Sequence, residues 1–123
     1  MRIVALVGIG SFIGGTLRYL IAQMVQSKFL SAFPFGTLTV NIIGCLVIGI
    51  VFGLSEKLNL SPEWRLFLAT GICGGFTTFS AFSLETMQLL RDGQIFYGLL
   101  YVATSILVGL IAVYLGMTLL KLI

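Results

Sequence analysis

Within the stretch CGGFTTFSAFS (Cys73 to Ser83), Phe79 and Phe82 stand three residues apart, and Ser80 and Ser83 keep the same spacing beside them. On a helix, residues three apart share a face. A phenyl stripe beside a hydroxyl stripe suggests a lined path, with plain aromatic packing as the alternative. Three further side chains carry chemistry in apolar surroundings: Arg18, Asn41 and Glu85. An amide such as Asn41 both donates and accepts, which suits a pore-lining donor or a helix-to-helix hydrogen bond. The chain has no histidine, so imidazole chemistry is excluded. Cys45 and Cys73 both fall in apolar segments and read as buried thiols rather than a disulfide.

The elements that must position these residues follow from composition. Of 123 residues, 59% are hydrophobic and only 9% charged, against about 25% charged in soluble domains. A soluble fold this small cannot hide that much apolar surface, so its solvent is lipid. A helical span needs about 20 mostly apolar residues. Four stretches qualify, at about 3–25, 35–54, 64–90 and 95–120. The expected fold is therefore all-α and integral to the membrane: four transmembrane helices in a single channel-sized domain. The thinly scattered charges, net +3, form no basic stripe, which argues against nucleic acid as a partner.

Connections carry their own punctuation. Ser61 is an expected N-cap, with Pro62 at the first helical position and Glu63 at the positive end of the helix dipole. Trp64 then falls at headgroup level. Arg91 closes a helix just before Gly93. Lys and Arg counts differ little between the two faces: Arg2, Lys57, Arg65 and Lys121 on the side of the termini, Lys28 and Arg91 on the other, with Arg18 inside a span. So weak a bias leaves both orientations open and allows an antiparallel, dual-topology homodimer. Paired small residues four apart (Gly10 and Gly14, Gly49 and Gly53, Gly71 and Gly75) suit either packing within the chain or a dimer seam. GIGSFIGG (Gly8 to Gly15) resembles a dinucleotide fingerprint only faintly, because Ile13 replaces the third glycine and no strand precedes it.

Polar groups inside a membrane are costly, so each is a functional candidate. Arg18, Asn41 and Glu85 fall at similar depth from the same face, each some five to seven residues, roughly 10 Å, inside its span. Arg18 and Glu85 would form an ion pair, or Arg18 would snorkel; alternatively Arg18 attracts anions into a watery vestibule. GGFTTF lies at the centre of the third span, where Gly74-Gly75 and Thr77-Thr78 favour a break in the helix. Such breaks survive only when buried in protein or facing a cavity. Two breaks meeting on a dimer axis could cage one small cation with their freed carbonyls.

GGTLRY (Gly14 to Tyr19), FGTLTVNIIG (Phe35 to Gly44) and GICGGFTTFSAFSLE (Gly71 to Glu85) resemble, in order and spacing, the signature blocks of the Fluc/CrcB fluoride channel family. With the four-span plan the resemblance covers essentially the whole chain. It implies an antiparallel dimer with two fluoride pores, each lined by both subunits, and a central structural sodium ion at the break in span three. Carried over by motif, Asn41, Phe79 and Phe82 face the pore, Gly74 and Thr77 supply sodium-binding carbonyls, and Arg18 is the arginine of the first block. Ser80 and Ser83 join the pore as its hydroxyl stripe. Tyr101, Thr104 and Ser105 are similar to the polar stripe of the family's fourth span. Ala81 departs from the threonine common in the family, which removes one hydroxyl.

The resulting expectation is a passive, fluoride-selective channel, not an enzyme, in the inner (plasma) membrane, with fluoride, lipid and an inverted second copy as partners. The main rival is a small multidrug or guanidinium exporter of four spans. Such exporters rely on a glutamate in the first span, where this chain has only Arg18. A structural subunit without transport is a third reading, and it leaves the hydroxyl row unexplained.

Overall fold

The computed structural model describes residues 1–122. Helix α1 spans Arg2–Gln26, α2 Phe35–Leu58, α3 Pro62–Arg65, α4 Gly74–Phe76, α5 Phe79–Arg91 and α6 Ile95–Leu119; a π-helical segment, Leu66–Cys73, joins α3 to α4. Four stretches are long and apolar enough to cross a membrane: Arg2–Gln26, Phe35–Leu58, Pro62–Arg91 and Ile95–Leu122. The third is interrupted at Thr77 and Thr78.

The helix ends follow the local chemistry. Ser61 caps α3, its hydroxyl accepting from the Trp64 N–H at 3.3 Å, with Pro62 in the first turn. After α5 the Gly93 N–H donates to Leu90 O and the Gln94 N–H to Leu89 O. That pairing requires the left-handed φ of 81° that Gly93 adopts. The second helix departs from expectation by running past residue 54 to Leu58. Glu56 and Lys57 are good helix formers, and the stop comes from Asn59, the described non-glycine residue with positive φ (51°).

Two close-packed pairs organise the bundle. Helix α1 lies along 66–76, and α2 lies along α6, while α5 leans on α6. Gly10 faces Phe67 and Gly71; Gly14 faces Ile72 and Phe76; Gly49 faces Val113 and Gly116. The glycine pairs thus serve contact within the chain. A Cβ added at Gly116 would lie 2.8 Å from Ile50 N and would collide with Leu46 O. Backbone atoms cannot yield as a side-chain tip does. We expect Gly116→Ala to lower stability by about 1–3 kcal/mol, read as a fall in the thermal unfolding midpoint of the purified protein. An unchanged midpoint would show that the two helices separate freely.

Candidate functional site at the break in the third span

The break is made by threonines, not glycines. Gly74 and Gly75 remain helical, whereas Thr77 (φ −93°, ψ 158°) and Thr78 (φ −148°, ψ 114°) are extended. Each glycine has a separate reason. A Cβ on Gly75 would sit 2.6 Å from Ser11 O, so α1 demands its absence. A Cβ on Gly74 would meet only Ala69 O, at 3.7 Å, and the residue borders open space.

A break frees backbone groups that must be satisfied. In a continuous helix the Thr78 N–H would close on Gly74 O. Here it donates to Asn41 Oδ1 at 2.9 Å, while Asn41 Nδ2 donates to Thr78 O at 3.2 Å. One amide from α2 therefore clasps the extended residue from both sides. The Thr78 hydroxyl caps α5 by accepting the Ala81 N–H at 3.1 Å, so Thr77 O also loses its helical donor. Thr77 itself folds back, its N–H and hydroxyl both donating to Cys73 O at 3.0 Å. Gly75 O would have received the Phe79 N–H; it instead accepts from Arg18 Nε at 3.1 Å. The guanidinium thus sits at the negative end of the half-helix dipole, where a cation is stabilising.

This placement corrects the expected pairing of Arg18 with Glu85. Among the described residues the ion pairs are Arg2 with Glu63 (3.0 Å) and Arg91 with Asp92 (3.3 Å). Glu85 is held by hydroxyls: Thr37 Oγ1 donates to Oε2 at 2.9 Å, and the Tyr101 O–H to Oε1 at 3.0 Å. The two charges stand at different levels: Arg18 reaches Gly75 at the break, whereas Glu85 lies further along α5, beside Thr37 in the first turn of α2.

Beside the break lies a groove of about 390 Å³ between α2, α6 and residues 69–82. Asn41, Gly74, Thr77, Phe79, Phe82 and Ser105 all line it. The rings of Phe79 and Phe82 are 5.7 Å apart, and Phe82 lies 5.1 Å from the Tyr101 ring. Ser105 Oγ is buried without a hydrogen-bond partner among the described residues. The other nominated side chains lie apart from the lining. The Ser80 hydroxyl pairs with Thr78 Oγ1 at 3.2 Å, Ser83 is half-buried on α5, Tyr101 is fully buried under Phe82, and Thr104 donates to Leu100 O at 2.6 Å. Phe79 is 79% exposed in the single chain, so the groove is open on that side.

Residues 5–117 match the family described as CrcB-like protein, Camphor Resistance (CrcB). The chain belongs to the CrcB-like family. A relative from Chlorobium phaeobacteroides (strain BS1), named Fluoride-specific ion channel FluC, is 54% identical over 118 residues, 95% of this chain and 91% of its own. One of the same name from Prosthecochloris aestuarii is 50% identical over 117 residues, 94% of this chain and 91% of its own. Another, from Rhizobium meliloti (strain 1021), is 43% identical over 122 residues, 98% of both chains.

In this CrcB-like chain Thr37 escapes sequence reasoning, and Thr78 was legible only as part of the break. Thr78 is the residue Asn41 holds, and Thr37 is the hydroxyl that anchors Glu85. Each left a trace. Thr78 precedes Ala81 by three, the offset of an N-cap hydroxyl, and Thr37 stands four before Asn41, on the same face of α2.

Proposed function

We propose that the chain is a fluoride-selective channel through which cytoplasmic fluoride leaves passively across the inner membrane, as the name of its full-length relatives suggests. The observation that carries the reading is the chemistry of the groove wall. It holds an amide, two phenyl rings and an unpartnered hydroxyl, and none of its lining side chains is charged. Fluoride is small and strongly hydrated, so its water must be replaced as it enters. Asn41 keeps one N–H beyond the one given to Thr78, and the Ser105 hydroxyl is free to donate. Ring edges offer partial positive charge without a full ionic well, which lets an anion bind and still depart. The exporter reading has no comparable support. Glu85, the carboxylate held inside the bundle, is tied to two hydroxyls away from the groove. In a fluoride-sensitised host, expression should restore growth in fluoride and leave guanidinium tolerance unchanged. Guanidinium tolerance alone would favour the exporter.

Two copies, antiparallel, complete the pore. The open groove and exposed Phe79 call for a facing wall, and the near-even charge of the two faces allows either insertion. Cysteine labelling at Asn59, on the α2–α3 turn, should reach the residue from both sides of the cell membrane. One-sided labelling would remove the dual topology.

A sodium ion on the dimer axis fits the same break. The carbonyls of Gly74 and Thr77 have lost their helical donors and Gly74 borders open space. Neutral oxygens suit a hard cation, and when bound the ion would hold the two breaks together. Since the ligands are backbone, we expect Thr77→Ser to be mild and Gly74→Leu to prevent stable assembly, read by the size of the purified particle and its sodium-dependent stability.

A further inference from the structure

Arg18 is turned to Gly75 O and is not part of the groove lining, which carries no charged side chain, so a charge nearer the water bears on how an anion arrives. A second concavity, about 610 Å³, lies between the C-terminal half of α2 and residues 65–69. Ile48 and Ala69 line both it and the groove at the break. These two residues are a wall common to both hollows, one beside Asn41 and the break, the other on the side of the α2–α3 turn. At that outer end stand Ser55, Glu56, Asn59 and Arg65. Arg65 and Glu56 are both exposed, and among the described residues neither belongs to an ion pair. Next to Arg65 is Trp64, at the depth where indoles meet headgroups, which sets this end at the water boundary.

We infer that Arg65 and Glu56 form the electrostatic mouth of the anion path, Arg65 raising the local concentration of fluoride and Glu56 opposing it. The inference rests on the channel reading above. A charge lining a concave, low-dielectric mouth raises the arrival rate of its counter-ion and leaves the dehydrated interior untouched. The opposite charge beside it keeps the mouth from becoming a trap, since conduction needs a site that releases. In an inverted pair each membrane face has one such mouth.

The test uses the full chain in liposomes, with fluoride currents measured at low fluoride and two ionic strengths set by an impermeant salt. At low ionic strength Arg65→Gln should reduce the current roughly two- to three-fold and Glu56→Gln raise it by a similar factor. In about 1 M salt, where the screening length is near 3 Å, both should return to the wild-type value, and at saturating fluoride neither should differ from it. Arg65→Cys modified with a cationic methanethiosulfonate should regain current, and with an anionic one lose more. Wild-type protein treated the same way controls for Cys45 and Cys73. Salt-independent loss in Arg65→Gln would indicate a structural role and overturn the inference. So would wild-type currents in both variants, or failure of both reagents to reach residue 65 in conducting protein. A wild-type chain that carries no fluoride overturns the channel reading as well.

Discussion

Asn41→Asp is expected to abolish fluoride flux, with residual transport below about one-hundredth of wild type. Two effects act together. The wild-type amide gives Thr78 O a hydrogen and takes one from Thr78 N–H. A carboxylate keeps the second bond but sets an anionic oxygen against the Thr78 carbonyl, at a cost of about 1–3 kcal/mol for the unsatisfied group alone. It also places negative charge on the groove wall, which repels the permeating ion. A loss of about 3 kcal/mol of stabilisation for the bound ion corresponds to more than a hundred-fold. Two controls separate the effects. The purified variant should keep the particle size of the wild type, because one clasp bond and the Thr78 cap survive. Asn41→Ser, neutral but too short to clasp both sides, should retain more flux than the aspartate. Wild-type flux in Asn41→Asp would make Asn41 a purely structural clasp.

Phe79→Ile should cut fluoride flux at least about tenfold with no loss of fold. The two phenylalanines differ in what they touch. Phe82 lies tilted against the buried Tyr101 ring, so its replacement disturbs packing as well as the path. Phe79 is largely exposed in the single chain, and its removal costs the isolated subunit little. Isoleucine keeps apolar bulk and removes the ring quadrupole. Phe79→Met, soft and polarisable, should be less damaging. Equal flux in wild type and Phe79→Ile would reduce the ring to a space-filler.

The spans were legible because lipid leaves the sequence few choices: long apolar runs become helices, and Ser61, Pro62 and Gly93 mark ends by chemistry that acts within a few residues. The position of the break was legible to within four residues, and its cause was not. Glycine beside threonine reads as glycine-made flexibility, yet Gly75 is set by contact with Ser11, on a helix far away in sequence. The partners of Arg18 and Glu85 were hidden for the same reason. Counting residues gives depth along a straight span, but the break at Thr77 and Thr78 and the rotation of each helix against its neighbours decide which groups meet. Asn41, Phe79 and Phe82 were found through motif resemblance. Composition alone gave only a polar residue and two rings at the right depth. The groove that gathers them with Ser105 depends on α6 lying along α2, a pairing of glycine faces that spacing hints at without naming the partner.

The most direct measurement is efflux from liposomes loaded with equal fluoride and chloride and containing the purified protein, with both anions followed by selective electrodes. Fast, passive loss of fluoride down its gradient is expected, with chloride retained and no requirement for a proton gradient. Equal release of both anions would contradict selectivity, and release of neither would contradict the channel itself.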